Sequence, residues 1–461
     1  MLIAESKEGR ALPTPARGRA PGPPRDVFVV GQPRPWAQAT VWLAGLAPFF
    51  YVTYGFANWF ASQHASVGSF VFGWERAIPF WAPSIIPYWS INLFYAASLF
   101  VCTSRAELDT HVRRLVSAQI TAVSFFVLLP LHFTFPRPEA TGVAGFMFDA
   151  LASFDKPFNQ APSLHIALLV ILWVRYAKHV PAALHWLLHT WFTIIGVSVL
   201  TTYQHHFIDI PTGAALGWLC VWLWPEQGSL VAGARWTDDP RRRALARRYA
   251  AAALCLAVVA MLAGGAALIL FWPVLSLLLV AAIYAAFGAA GFQKGGDGRL
   301  SPAALWLLGP YIAGAWINSR IWTRRHPGPS HAADGVWIGR MPTRAEWVRQ
   351  GTPALIDLCA ELPGPGGAGR ITTLPLLDLV APGAAELQTA ARVIEQYRVD
   401  GPVLVCCALG YSRSATAAAV WLLSTGRAPT AEAAISLIRG VRPRVVLDAE
   451  TVRAGSAADA D

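Results

Sequence analysis

Two sets of residues in this chain have the types and spacing that phosphoryl chemistry needs. The first is one run, Val403-Leu-Val-Cys-Cys-Ala-Leu-Gly-Tyr-Ser-Arg-Ser414. It reads as a buried strand, then a loop that opens a helix from Ala415 to Leu423. Five residues separate Cys407 from Arg413. One turn of backbone N–H groups around Gly410 can therefore cup phosphate oxygens while the guanidinium takes two of them. The same amides and the helix dipole favour the thiolate form of Cys407, a nucleophile toward phosphorus. The second set is dispersed: Arg137-Pro138, Pro162-Ser163-Leu164-His165, and His205 four residues before Asp209. In such a set one imidazole attacks phosphorus, a carboxylate orients it, and a second imidazole protonates the leaving oxygen.

The Cys-x5-Arg-Ser run resembles the signature of the protein tyrosine and dual-specificity phosphatases, over roughly the last quarter of the chain. That resemblance implies that Cys407 forms a phosphocysteine, Arg413 binds the phosphoryl group and Ser414 helps the thiolate leave. It also implies a general acid on a loop about 30 residues upstream, where Leu374-Pro-Leu-Leu-Asp378 is followed by Pro382. Asp378 is the choice for that acid. One departure stands out: the family usually places His before the nucleophile, and this chain has Cys406. Cys406 is read as a strand-packing residue.

The dispersed set resembles the type 2 phosphatidic acid phosphatase superfamily, in particular its branch with inositolphosphotransferases and sphingolipid synthases. The likeness covers roughly residues 40–225. It implies that His205 is a nucleophile held by Asp209, that His165 is a general acid, and that Arg137 and Ser163 bind phosphate. Two positions depart from the pattern: the lysine seven residues before Arg137 is Pro130, and the Ser-Arg pair before the nucleophile is Ser198-Val199. The pocket is thus less cationic, and Lys156 is a candidate to supply part of the missing charge. Taken together, the chain resembles a bacterial fusion of the two families. Neither site calls for a metal or another cofactor.

The elements that must position these residues follow from composition. The chain has 461 residues, 55% hydrophobic and 14% charged, with a mean hydropathy of +0.42. That excess of apolar surface predicts a polytopic membrane protein. Its six cysteines show neither metal-ligand spacing nor a secreted disulfide framework. The net charge of +10 comes mainly from arginines between apolar runs, the pattern of topogenic anchors at anionic lipid and not of nucleic-acid binding.

In order, residues 1–38 read as a disordered basic tail. Residues 39–225 read as a six-helix membrane domain with spans near Ala39–Ala61, Ile85–Cys102, Leu115–Phe133, the stretch after His165, Ala183–Leu200 and Phe207–Trp224. The arginine distribution puts the N-terminus inside, so all three motifs of the dispersed set fall at the outer face. Residues 226–325 read as a basic loop, two further spans within Tyr249–Phe292 joined near Phe271-Trp-Pro273, and an ambiguous segment, Ser301–Trp322. Eight spans leave the C-terminal domain cytoplasmic and nine put it outside; the flanking arginines and a thiolate catalyst favour the cytoplasm. Residues 326–455 read as an α/β domain with a mixed, partly parallel sheet, followed by a tail at 456–461.

The expectation is a bifunctional enzyme of a bacterial inner membrane that acts on phospholipids or other lipid phosphates. Two alternatives stay open: a protein phosphatase tethered by a sensory membrane domain, and a non-catalytic scaffold or transporter. Oligomeric state leaves no sequence pattern.

Overall fold

The computed structural model describes residues 33–367 and 369–457. Most of the expected N-terminal tail, residues 1–32, and residues 458–461 of the expected C-terminal tail lie outside the described residues.

The first half is helical. Helix α1 (Trp36–Ser62) takes up the last three residues of the expected tail, and short 3-10 turns at Gly73–Ala77 and Ala82–Ser84 hold the proline-rich stretch before α2 (Ile85–Val101). Helix α3 (Arg105–Leu128) starts ten residues before the expected Leu115, because the Ser104 hydroxyl accepts the Glu107 N–H and caps it. A helix the hydropathy reading did not anticipate, α4 (Gly142–Ala152), forms in the segment between Arg137 and Lys156. Helices α5 (Leu164–His179), α6 (His185–Thr201) and α7 (Asp209–Leu223) complete this bundle. Helix α7 lies directly on α5 because two glycines face it: a Cβ at Gly213 would stand 2.5 Å from the Ser163 carbonyl oxygen, and one at Gly217 2.7 Å from that of Ala167.

The expected basic loop is instead the start of α8 (Pro240–Ala263). Asp239 accepts the N–H groups of Arg241 and Arg242, and Pro240 occupies the first helical position, so the arginines wind into a helix. Gly264 and Gly265, both at positive φ, reverse the chain. The joint thus precedes the expected Phe271-Trp-Pro273, which opens α9 (Phe271–Ala282). A π-helical turn, Ile283–Phe287, extends α9. The ambiguous segment breaks at Leu308 into α10 (Pro302–Leu307) and α11 (Gly309–Thr323).

Eight or nine spans were expected. Among the described residues, five helical stretches are long and apolar enough to cross a membrane: Trp36–Ser62, Ala82–Val101, Ala182–Thr201, Pro240–Ala263 and Gly265–Phe292. The others fall short for identifiable reasons. Helix α3 carries charged residues in its first turns, while α5, α7 and α11 have only 16, 15 and 15 residues.

The second half is built on a five-stranded sheet in the order β1-β2-β5-β3-β4. Its strands are β1 (Ser330–Ala333), β2 (Val336–Arg340), β3 (Ala354–Cys359), β4 (Ile371–Leu376) and β5 (Val403–Cys407). Only the β1–β2 pair is antiparallel, which gives the mixed sheet. A short α12 (Arg344–Arg349) follows β2, and α13 (Ala384–Arg398) connects β4 to β5. Then come α14 (Arg413–Ser424), α15 (Ala431–Val441) and α16 (Ala449–Ser456). Strand β5 is buried along its whole length because it is the central strand, and the run of apolar residues Val403–Val405 reflects that position.

Candidate active sites

Strand β5 ends at Cys407 and α14 starts at Arg413, so the intervening loop lies at the carboxyl edge of the sheet, where open α/β folds place ligands. The Gly410 N–H points at the Cys407 sulfur, with N···Sγ 3.2 Å, and the Ser414 hydroxyl stands 3.4 Å from it. Gly410 is required twice over. Its φ is +76°, and a Cβ there would lie 2.4 Å from the Gly339 carbonyl carbon.

Three successive carbonyls of this loop are taken by donors from outside. The Ser319 hydroxyl donates to Ala408 O (2.5 Å), Arg442 Nη2 to Leu409 O (3.1 Å) and Arg442 Nε to Gly410 O (2.8 Å). With the carbonyls held outward, the loop's N–H groups are left to face an anion. Arg442, which closes α15, is buried and braces the loop.

Arg413 is 1% exposed. Its Nη1 and Nη2 donate to the two Glu361 oxygens at 2.8 and 2.6 Å, and Nη1 also donates to Leu376 O at 2.8 Å. Asp378 Oδ1 lies 3.0 Å from Nη2. The guanidinium is thereby fixed in plane, and its Nε has no hydrogen-bond partner among the described residues. Burial works against ionisation of Glu361, but Arg413 and hydrogen bonds outweigh it and hold the carboxyl below its ordinary range. Burial raises the Asp378 carboxyl above its ordinary range, with Arg413 opposing and Glu361 reinforcing the shift. That direction suits an acid that must hold a proton until the leaving oxygen needs it.

Cys407, Gly410, Arg413, Ser414 and Asp378 are thus brought to one place. Sequence reasoning missed Glu361 and gave Arg442 no role. The signal for Glu361 was a carboxylate just beyond the apolar run Leu358-Cys359-Ala360, where a buried charge demands a partner. Cys406 points to the other face of the strand. Its sulfur packs 4.0 Å from Met341 Sδ, and burial pushes its thiol well above the ordinary range.

This catalytic loop is not free on the surface. Leu409 and, from α11, Ile312 and Ala315 all pack against the buried cluster that includes Ala408, and Ser319 of the same helix supplies the hydroxyl on Ala408 O. On the acid side, Leu377 and Val380 pack into the core of the helical half. The Tyr284 hydroxyl donates to Asp378 O at 3.0 Å. Lys294, from the turn before α10, forms a 2.5 Å ion pair with Asp357 of β3, and both side chains are fully buried.

The dispersed set also converges in part. His205 Nδ1 lies 3.0 Å from Asp209 Oδ2, and its Nε2 lies 3.1 Å from the Ser163 hydroxyl. Ser163 also caps α5 by accepting the Ile166 N–H, so one residue joins the helix start to the imidazole. His165 stacks on Tyr88 with ring centroids 4.3 Å apart, and its buried Nε2 has no hydrogen-bond partner among the described residues. His165 and His205 both line a cavity of about 70 Å³ with Tyr54, Tyr88, Trp89 and Asp155. Arg137 and Lys156 are exposed and are not among the cavity's lining residues. The Arg137 guanidinium sits over Phe148, 4.8 Å from the ring centroid. His206 turns away from this cavity: its Nδ1 meets Glu75 Oε2 at 2.9 Å, and both side chains are buried.

Residues 369–454 match the family model for the dual specificity phosphatase catalytic domain, a segment that runs from β4 into α16. None of the curated proteins compared with the chain matches it. Among solved structures, Tk-PTP in its active form is 26% identical and the match covers 28% of this chain and 94% of that one, with a TM-score of 0.25. PTPMT1 in complex with PI(5)P is 18% identical, over 28% of this chain and 92% of that one, with a TM-score of 0.23. Human DUSP28 is 20% identical, over 28% of this chain and 93% of that one, with a TM-score of 0.26. The C-terminal part of the chain is a phosphatase domain of the dual-specificity type.

Proposed function

We propose that the chain is an integral membrane enzyme with two phosphoryl-transfer sites, both acting on lipid phosphates. The carrying observation is the convergence of Cys407, Arg413 and Asp378 on a loop whose outer side is packed against α11. That packing supports a substrate presented by the membrane-type helices over a large phosphoprotein. Exposed apolar side chains on α1, α6 and α8, among them Val52, Phe56, Val197, Val258 and Leu262, support a lipid surround. In this reading α3, α5 and α7 also cross the bilayer and complete the bundle. The N-terminus and the Cys407 domain face the cytoplasm of a bacterial cell, and the His205 site faces outward.

At the Cys407 site the sulfur attacks phosphorus as the P–O ester bond breaks, and Asp378 gives its proton to the leaving oxygen. Arg413 and the loop N–H groups hold the equatorial oxygens. Water then attacks the phosphocysteine and gives a proton back to Asp378. The S–P bond breaks with Ser414 donating a hydrogen bond to the departing thiolate, and inorganic phosphate leaves.

At the other site, Asp209 takes the hydrogen bond from His205 Nδ1–H and so leaves the Nε2 lone pair for phosphorus. His165 protonates the leaving alkoxide as its P–O bond breaks; a water or alcohol then attacks phosphorus of the phosphohistidine, returning its proton to His165 as the N–P bond breaks and His205 leaves. The type 2 phosphatidic acid phosphatase likeness of residues 39–225, with its inositolphosphotransferase-like branch, belongs to this reading. Arg137 supplies phosphate contact in it, with Lys156 as an added cation.

The test is phosphate release by the detergent-purified chain from a panel of lipid phosphates and a phosphotyrosine peptide, for wild type, His205→Ala and Cys407→Ser. Loss of a different lipid activity in each variant is the expected result. Turnover of the peptide alone, dependent on Cys407 alone, would replace it with a membrane-tethered protein phosphatase. Full phosphate release by both variants would leave neither site catalytic.

A further inference from the structure

The acid loop that carries Asp378 is held by a residue of the helical half. After Asp378, Leu379 adopts φ +58°, a left-handed conformation that a branched side chain takes only where its surroundings impose it. Leu379 itself is exposed, so its own packing does not impose the turn. The constraint lies on either side. Leu377 and Val380 sink into the helical core, and the Tyr284 hydroxyl takes the Asp378 carbonyl at 3.0 Å.

Tyr284 belongs to the π-helical turn Ile283–Phe287. Such turns widen a helix and free carbonyls, and they recur at functional sites. Here the freed carbonyls are taken from outside: Arg242 Nε donates to Tyr284 O at 3.1 Å, Thr237 N to Ala285 O at 2.8 Å and Arg235 N to Ala286 O at 3.1 Å. The Tyr284 ring is buried against that of Tyr249, with centroids 5.5 Å apart. The hydroxyl is therefore a fixed point, and the Asp378 carboxyl reaches Arg413 from it.

We propose that Tyr284 is a positioning residue for the general acid of the Cys407 site, which makes that site a composite of the phosphatase domain and the α8–α9 hairpin. The inference rests on the reading of Cys407 as nucleophile and Asp378 as acid. As the P–O bond breaks, the Asp378 proton must arrive at the leaving oxygen. A loop free to swing delivers it late, and the delay slows only reactions whose leaving group needs the proton. An alkoxide needs that proton; a nitrophenolate leaves without it.

The experiment uses the full chain in detergent, in a His205→Ala background so that only the Cys407 site is read. It compares kcat for p-nitrophenyl phosphate and for a short-chain phosphatidic acid. Tyr284→Phe is expected to lower kcat for the lipid phosphate about 10- to 100-fold, as misplacement of an acid does, to leave p-nitrophenyl phosphate turnover nearly unchanged, and to flatten the alkaline limb of the lipid pH profile. Leu379→Gly, which releases the loop without touching the tyrosine, is expected to move the same ratio. Tyr249→Phe, which keeps the ring wall, is expected to leave it alone.

Equal loss on both substrates in Tyr284→Phe, a ratio unmoved by Tyr284→Phe or by Leu379→Gly, or the same shift in Tyr249→Phe would overturn the assignment. Failure of the underlying reading looks different: Cys407→Ser in the same background would then retain phosphate release.

Discussion

The ion pair between Lys294 and Asp357 gives a direct test of how the two halves are joined. The two groups are 2.5 Å apart with no exposure of either side chain. Lys294 Nζ also donates to Cys359 O at 2.5 Å, and Asp357 Oδ1 accepts the Cys359 N–H at 2.9 Å. Burial opposes the Lys294 charge, yet Asp357 more than compensates and holds the ammonium above its ordinary range. Removing one partner leaves the other charge buried and unpaired, a cost of about 3–5 kcal/mol. For a domain of this size that corresponds to a fall in Tm of roughly 6–20 °C.

Lys294→Met and Asp357→Leu alone are therefore expected to lower the Tm of the C-terminal transition by that amount. The double variant removes both charges and is expected to recover most of it, because a buried pair gives little net stability over apolar replacements. Thermal unfolding of the detergent-purified chain, followed by loss of Cys407-dependent phosphate release, reads all four corners of the cycle. Single variants that melt within about 1 kcal/mol of wild type, or strictly additive losses in the double variant, would refute the argument.

Two further outcomes follow from the catalytic loop. Because burial raises Asp378, the protonated acid persists to higher pH than an exposed aspartate. Turnover of alkyl phosphates should fall only as pH rises through that raised value, and Asp378→Asn should abolish the alkaline limb while slowing the reaction about 10²–10⁴-fold. Gly410→Ala puts a methyl group 2.4 Å from Gly339 C on a residue with φ +76°. It should cost at least about 10²-fold in kcat and weaken vanadate binding with little change in far-UV circular dichroism; unaltered vanadate affinity would contradict the loop geometry.

What could be read from the chain divides along a physical line. The Cys407 loop was legible because its chemistry is contiguous: strand, glycine, arginine and helix start lie within twelve residues. Asp378 was legible by its offset and by Pro382. Glu361 was not, because the partner of a buried arginine is set by which strands lie side by side, and β3 and β5 are neighbours only in the sheet order. The α8 start was misread for a different reason. Five arginines look like a loop by hydropathy, but Asp239-Pro240 caps them, and their long side chains carry high helix propensity. In the helical half, the Ser163, His205 and Asp209 cluster was foreseen by motif, whereas Gly213 and Gly217, which let α7 approach α5, passed unnoticed as ordinary small residues. The exposed position of Arg137 depends on how the loop before α4 runs, which no spacing rule specifies.

The contacts around Ala408 and Asp378 argue that the phosphatase domain is not a module on a tether. In a tethered module the linker carries no catalytic constraint, and cutting it leaves the site intact. Here Ser319, Arg320 and Thr323 of α11 bond Ala408 O, Met341 O and the Arg340 guanidinium, and Tyr284 bonds Asp378 O. Excision at His326 removes all four partners and bares the apolar faces of Leu377, Val380 and Leu409 at once. The sheet core, with its own buried set from Val336 to Val452, keeps its internal contacts. An excised fragment from His326 onward is therefore expected to keep its α/β circular dichroism while losing most of its turnover of alkyl phosphates. Equal specific activity in fragment and full chain would mean that the helical half contributes nothing to the geometry of the Cys407 site.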